Sequence, residues 1–174
     1  MIKSILSFIT LLIFAVSCVS TQQPISQAES SEHAEKPAEL ISPHLFSTIK
    51  RSYCYGTCPV YELRIDLTGE ATYYAIKNVE LKGVYTGHVS EKWLATLSQK
   101  AKEINYIEMK DVYDSPGISD LPSTTTSIVI NGKRKTVKRR YGYPSELLAF
   151  EVLFDDIIAS TSWEKLREPE KEKH

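Results

Sequence analysis

The clearest pattern along the chain is an alternation in which Tyr61, Leu63, Ile65 and Leu67 are separated by Glu62, Arg64 and Asp66. A period of two turns one set of side chains to a core and the other to water, so this stretch predicts a half-buried strand. Thr68-Gly69 follows as a turn, and Glu70 to Ile76 predicts the strand that returns. Upstream, Leu45 to Arg51 predicts another strand, and downstream Gly83 to Val89 predicts a shorter one. The period then changes. Trp93, Leu94, Leu97, Ala101 and Ile104 recur at helical spacing behind Ser90, an N-cap residue type, and Glu91.

The stretch from Asn105 to Thr124 carries Pro116, Gly117 and Pro122 and is predicted to be mostly loop. Beyond it, Thr125 to Ile130 predicts a strand by β-branched content, Asn131-Gly132 a hairpin turn, and Lys133 to Arg139 the return strand. Tyr143-Pro144 opens a last helix. Its Leu147, Leu148, Phe150, Val152, Leu153, Phe154, Ile157 and Ile158 nearly surround the axis, which predicts the most buried element of the fold. Strands, helix, hairpin and helix in that order give an α+β domain, a largely antiparallel sheet of about six strands with two helices packed on one face.

Composition narrows the class. A chain of 174 residues, 42% hydrophobic and 25% charged, accommodates one ordinary domain and excludes a collagen or a polytopic membrane protein. A net charge of -1 argues against a nucleic-acid partner, since phosphate binding needs a basic excess.

The amino terminus stands apart. Lys3 precedes an apolar run over residues 5–16. As a helix this run covers about 18 Å, short of the roughly 30 Å hydrocarbon core, so residues 1–17 read as a signal peptide. Ala15-Val16-Ser17-Cys18 resembles the bacterial lipobox. That resemblance implies cleavage before Cys18 and acylation of its thiol, making a lipoprotein attached to the membrane through its N-terminal lipid. Val19, where an Asp would imply inner-membrane retention, points to the outer membrane facing the periplasm. The rest of residues 18–43 is rich in Ser, Gln, Glu and Pro and reads as a flexible tether with a reach of roughly 25 to 30 Å. Residues 44–166 form the expected globular domain and 167–174 a charged tail.

Cys54 and Cys58 lie in Y-C-Y-G-T-C-P-V-Y between the first two predicted strands. Four extended residues span about 13 Å and a disulfide needs Cα atoms roughly 4.4 to 6.8 Å apart, so pairing requires a compact turn, which Gly56 can supply. In an oxidising compartment such a bond would stabilise the domain by about 2 kcal/mol. Two other readings stand beside this one. The C-x3-C-P string resembles the copper motif of Sco-type chaperones, with His88 or His44 as third ligand, although that family places it in a thioredoxin fold. Thiol exchange is the other.

K-R-S-Y-C-Y-G-T-C-P-V-Y-E-L-R-I at 50–65, S-P-G-I-S-D-L-P-S-T-T-T at 115–126, N-G-K at 131–133 and Y-G-Y-P-S-E-L at 141–147 together resemble a bacterial domain of unknown function, the family numbered 6438. The resemblance implies a small exported domain, often borne on lipoproteins, with no established activity and no catalytic residue to carry over.

Lys133, Arg134, Lys135, Lys138, Arg139 and Arg140 put six basic residues in eight positions. They read either as a charged sheet edge that discourages aggregation or as a patch for an anionic partner such as lipid headgroups. Asp111, Asp114 and Asp120 occur in the proline-bearing segment without a calcium-loop pattern, and local turns account for them. That segment, with the cysteine loop, is the preferred binding surface. Of four histidines only His88 lies inside the domain, and nucleophile-elbow, zincin and phosphate-loop motifs are missing. The expected function is a non-enzymatic envelope module that binds a protein or glycan, with no cofactor or metal. A thiol redox or copper-handling module using Cys54 and Cys58 is the alternative.

Overall fold

The computed structural model of the chain describes residues 44–166. The expected signal peptide, Cys18, the expected tether and the charged tail lie outside the described residues. Among the described residues, no helix is long and apolar enough to cross a membrane.

The element order is β1 (Leu45–Arg51), β2 (Val60–Asp66), β3 (Glu70–Lys77), β4 (Gly83–His88), α1 (Glu91–Glu103), a 3-10 turn (Tyr106–Glu108), β5 (Val112–Tyr113), β6 (Thr124–Ile130), β7 (Lys133–Arg139), α2 (Glu146–Ser160) and β8 (Trp163–Lys165). All eight strands share one sheet in the order β5-β7-β6-β1-β2-β3-β4-β8. Neighbours are antiparallel except β5 and β7, which are parallel. The α+β fold with both helices on one face is as the patterning predicts, with two strands more than expected. β5 and β8, of two and three residues, are the additions. Neither is long enough to show a period. β5 forms where the backbone of Asp111 and Tyr113 accepts from Lys138 on β7 and Arg140 just beyond it, and β8 where the chain leaving α2 runs back along β4.

The alternation in β2 works as read: Tyr61, Leu63 and Ile65 are buried, while Glu62, Arg64 and Asp66 are half-buried on the other face. Leu67 falls outside the strand and is exposed, because Asp66 begins a turn in which its carboxylate accepts from the amides of Thr68 and Glu70. The β6–β7 hairpin turns through Asn131 and Gly132, at φ 51° and 75°. Positive φ at both positions fits the twist of the strands and is tolerated by these two residue types.

The core lies between the sheet and the helices. α2 contributes Leu147, Phe150, Phe154 and Ile157, with Phe150 and Phe154 edge to face at 5.3 Å and Tyr106 against Phe150 at 5.0 Å. The expectation that α2 is buried nearly all round is corrected. Leu148 and Val152 are exposed, and the charged Glu151 is 2% exposed. A helix resting on one sheet can bury only the stripe that faces it. In α1, Leu97 and Ala101 are buried while Trp93, Leu94 and Ile104 pack at the margin of the core. Ser90 occupies the N-cap of α1 but makes no side-chain capping bond. The segment after α1 is also more structured than a loop. Tyr106 is wholly buried, and its hydroxyl donates to the Thr126 carbonyl at 2.8 Å.

Candidate functional site

Strand register builds one end of the sheet into a site. Tyr61 on β2 pairs with Arg51 on β1, Arg51 with Thr124 on β6, and Thr124 with Arg139 on β7. Four adjacent strands therefore set Tyr61, Arg51, Thr124 and Arg139 in one row. α2 crosses above it with Glu151 and Asp155, four positions apart and so on one face of the helix.

The groups bond across that junction. Arg139 Nε donates to Glu151 Oε1 at 2.7 Å, and Arg51 approaches Glu151 Oε2 at 3.3 Å. Arg51 also donates to Asp155 Oδ2 at 2.8 Å and to the Tyr61 hydroxyl at 3.0 Å, and that hydroxyl donates to Asp155 Oδ1. The Arg139 guanidinium lies 4.5 Å from the Tyr143 ring centroid. Two cations thus face two anions, and the cluster is neutral as well as hydrogen-bonded, the condition under which buried charge is tolerated. The Glu151 hydrogen bonds carry the Arg139 pKa above its usual value even though burial opposes this. Burial raises the Tyr61 hydroxyl well above the usual phenol range.

From this base the cysteine loop projects. β1 ends at Arg51 and β2 begins at Val60, so residues 52–59 connect the neighbouring strands that carry Arg51 and Tyr61. Cys54 and Cys58 stand at disulfide distance, S–S 2.04 Å with Cα atoms 5.9 Å apart, inside the range a compact turn had to reach. The Gly56 amide donates to Cys54 Sγ at 3.2 Å, and Asn78, from the β3–β4 connection, donates to the Cys58 carbonyl at 3.0 Å. Tyr55 is 95% exposed, and Tyr53, Gly56, Thr57 and Pro59 are exposed with it. The root of the loop is tied to the end of the proline-bearing segment, where Ser52 donates its amide to the Ser123 carbonyl and accepts the Ser123 amide on its hydroxyl.

Beside the loop, a cleft of about 450 Å³ opens between the C-terminal half of α2, the β3–β4 connection and β8. Tyr61 and Tyr73 line it from the sheet and Trp163 from β8, and Pro59, the residue after Cys58, forms part of its wall.

The other residues singled out in the sequence sit elsewhere. His88 and His44 are at the opposite end of β2: His88 pairs with Glu70, and the His44 carbonyl accepts from Leu67. Seven strand residues separate these ends by about 20 Å. Neither histidine approaches the cysteines as a third metal ligand would. His88, the one histidine inside the domain, is exposed and meets Glu70 at 3.0 Å. The six basic residues are divided rather than gathered. Arg139 joins the buried cluster, Arg134 donates to Ser127 and the Leu45 carbonyl, Lys135 pairs with Asp111 at 2.6 Å, and Arg140 donates to the Ile118 carbonyl and lies 3.7 Å from Asp114. Lys133 is exposed and Lys138 half-buried. Asp111 and Asp114 are thus partners of β7 and its end, and Asp120 is exposed.

What the sequence reading missed is the cluster of Arg51, Tyr61, Glu151 and Asp155. One signal was available: Glu151 sits on the Leu147, Phe150, Phe154 stripe of an otherwise apolar helix face.

A single-sheet α+β domain, with a close cysteine pair on a loop above a buried charge cluster, is the class that the fold and site define. Residues 47–158 match a domain of unknown function, DUF6438, and the chain belongs to that family. The match takes in both cysteines and all five members of the charge cluster but stops short of β8 and Trp163. No curated protein matches the chain.

Proposed function

We propose that the domain is a thiol–disulfide exchange module of the bacterial envelope, working through Cys54 and Cys58 and held at the membrane by an acylated Cys18 and the tether that follows it. The observation that carries this reading is the Gly56 amide donating to Cys54 Sγ in an exposed loop. An amide aimed at sulfur favours thiolate over thiol, and the thiolate is the species that attacks and leaves in exchange. The pair is also outside the hydrophobic core. A five-residue ring contributes only about 2 kcal/mol on the chain-entropy argument, so opening it leaves the domain its main sources of stability.

In the reducing direction the Cys54 thiolate attacks a substrate disulfide, forming a mixed disulfide and expelling one substrate thiolate. The Cys58 thiolate then attacks Cys54 Sγ, closing the Cys54–Cys58 bond and releasing the second substrate thiolate. Two electrons pass from the protein dithiol to the substrate disulfide. Run backwards, the same steps oxidise a substrate dithiol. Copper handling has less support, because the histidines named for it lie at the far end of the sheet. An anionic-partner surface has less support as well, because four of its six basic side chains already bond within the domain.

The test is to trap the intermediate. Cys58→Ser leaves Cys54 without its resolving partner, and this variant is expected to accumulate a mixed disulfide when mixed with an oxidised model peptide. Cys54→Ser, which keeps the sulfur that lacks the amide, is expected to react more slowly at pH 7. Equal rates, or no adduct with either variant, would remove the reading.

A further inference from the structure

The cleft beside the loop has a charge and shape that the exchange steps themselves do not use. Two carboxylates, Glu80 and Asp155, line it, and no lysine, arginine or histidine does. Asp155 already serves Arg51 and Tyr61, yet its side chain is 45% exposed. Glu80 is exposed and forms no ion pair among the described residues. Aromatic rings lie below, with Tyr73 and Trp163 at 5.3 Å between centroids. Tyr73 carries a second kind of signal. It is only 2% exposed, it lines the cleft, and its hydroxyl has no hydrogen-bond partner among the described residues. Among the described residues Tyr73 Oη is not a sealed polar atom without a partner, so it opens onto the cleft, where a group entering from outside can bond it. Burial, reinforced by the charges of Asp155 and Glu80, pushes its pKa up to about 12, consistent with a cleft of negative potential.

We propose that this cleft receives the side chain of a lysine or arginine in the substrate segment whose disulfide or dithiol reacts at the neighbouring loop. The identity of that segment rests on the exchange reading; the cation site rests on the cleft. Glu80 supplies the counter-charge, the rings of Tyr73 and Trp163 supply π-faces for a cation, and the Tyr73 oxygen accepts one of its N–H groups. Because Pro59 follows Cys58 directly and walls the cleft, the basic residue falls within a few positions of the reacting cysteine.

Two probes separate the claims. A cysteine-free peptide with a single arginine, and the same peptide with glutamate in its place, are titrated against the full oxidised chain while the Trp163 indole N–H resonance is followed by NMR. The arginine peptide is expected to shift it saturably and the glutamate peptide to leave it in place. Glu80→Gln should weaken the arginine peptide about two- to fivefold, as for loss of an exposed ion pair. Disulfide peptides with arginine or glutamate beside the cysteine are then compared for exchange rate, with arginine expected to be faster and Glu80→Gln to remove the difference. An unmoved indole, or equal shifts from both peptides, overturns the cleft assignment even if exchange proceeds. Saturable arginine binding without exchange overturns the exchange reading, and with it the claim that the side chain belongs to a substrate disulfide.

Discussion

The two ends of the central hairpin β2–β3 use charge in different ways. At the turn end, Glu70 and His88 meet across neighbouring strands with both side chains more than 60% exposed, and Asp66 ties down a tight turn. At the cysteine end, Glu151 is sealed under α2 between two arginines, and Tyr61 and Asp155 close the cluster. The first arrangement holds its charges in water, where an ion pair contributes little. The second has taken Glu151 and most of its two arginines out of water, with Asp155 at its half-exposed margin, and depends on its partners being present. The cysteine loop springs from the end that is rigid and fully bonded, so a loop able to react is carried on a base that does not have to move.

This contrast can be broken by substitution. Glu151→Ala should be the most damaging change, lowering stability by about 3 to 5 kcal/mol in urea denaturation, because Arg139 would be left without its carboxylate and Arg51 with Asp155 alone. A loss below about 1 kcal/mol would put the buried cluster on the same footing as the exposed pair. Tyr61→Phe keeps the ring and removes a hydroxyl that serves both Arg51 and Asp155, and should cost about 1.5 to 3 kcal/mol in the same measurement. His88→Ala removes the pair at the turn end and should change stability by no more than about 0.5 kcal/mol, with little response to added salt. If His88→Ala proved as costly as Tyr61→Phe, the two ends would not differ as described.

The fold was largely legible in the sequence because its strands follow simple periods. β1 and β7 run from Leu45 to Arg51 and from Lys133 to Arg139, as their patterns predict, and the Asn131-Gly132 turn fixes their neighbours' register. β5 and β8 were not legible, since two or three residues carry no period and their pairing depends on where β7 and β4 already lie. The site divides in the same way. Cys54 and Cys58 announce themselves by residue type, and the compact turn they need is present. Glu151 does not, because a carboxylate in a helix ordinarily reads as solvent-facing and its partner Arg51 is 100 residues away in the chain. The basic run from Lys133 to Arg140 divides as strand geometry requires, since adjacent positions on a strand face opposite ways and a run in sequence is not by itself a patch in space.

Above all, the Cys54–Cys58 pair should open and close without unfolding the domain. The direct measurement equilibrates the full chain in glutathione buffers of graded redox potential, counts free thiols by alkylation, and follows secondary structure by circular dichroism. Reversible opening with a midpoint above about -300 mV and an unchanged dichroism spectrum across the transition is the expected result. A pair that stays closed at more reducing potentials, or a domain that unfolds as the pair opens, would contradict it and return Cys54 and Cys58 to a purely structural role.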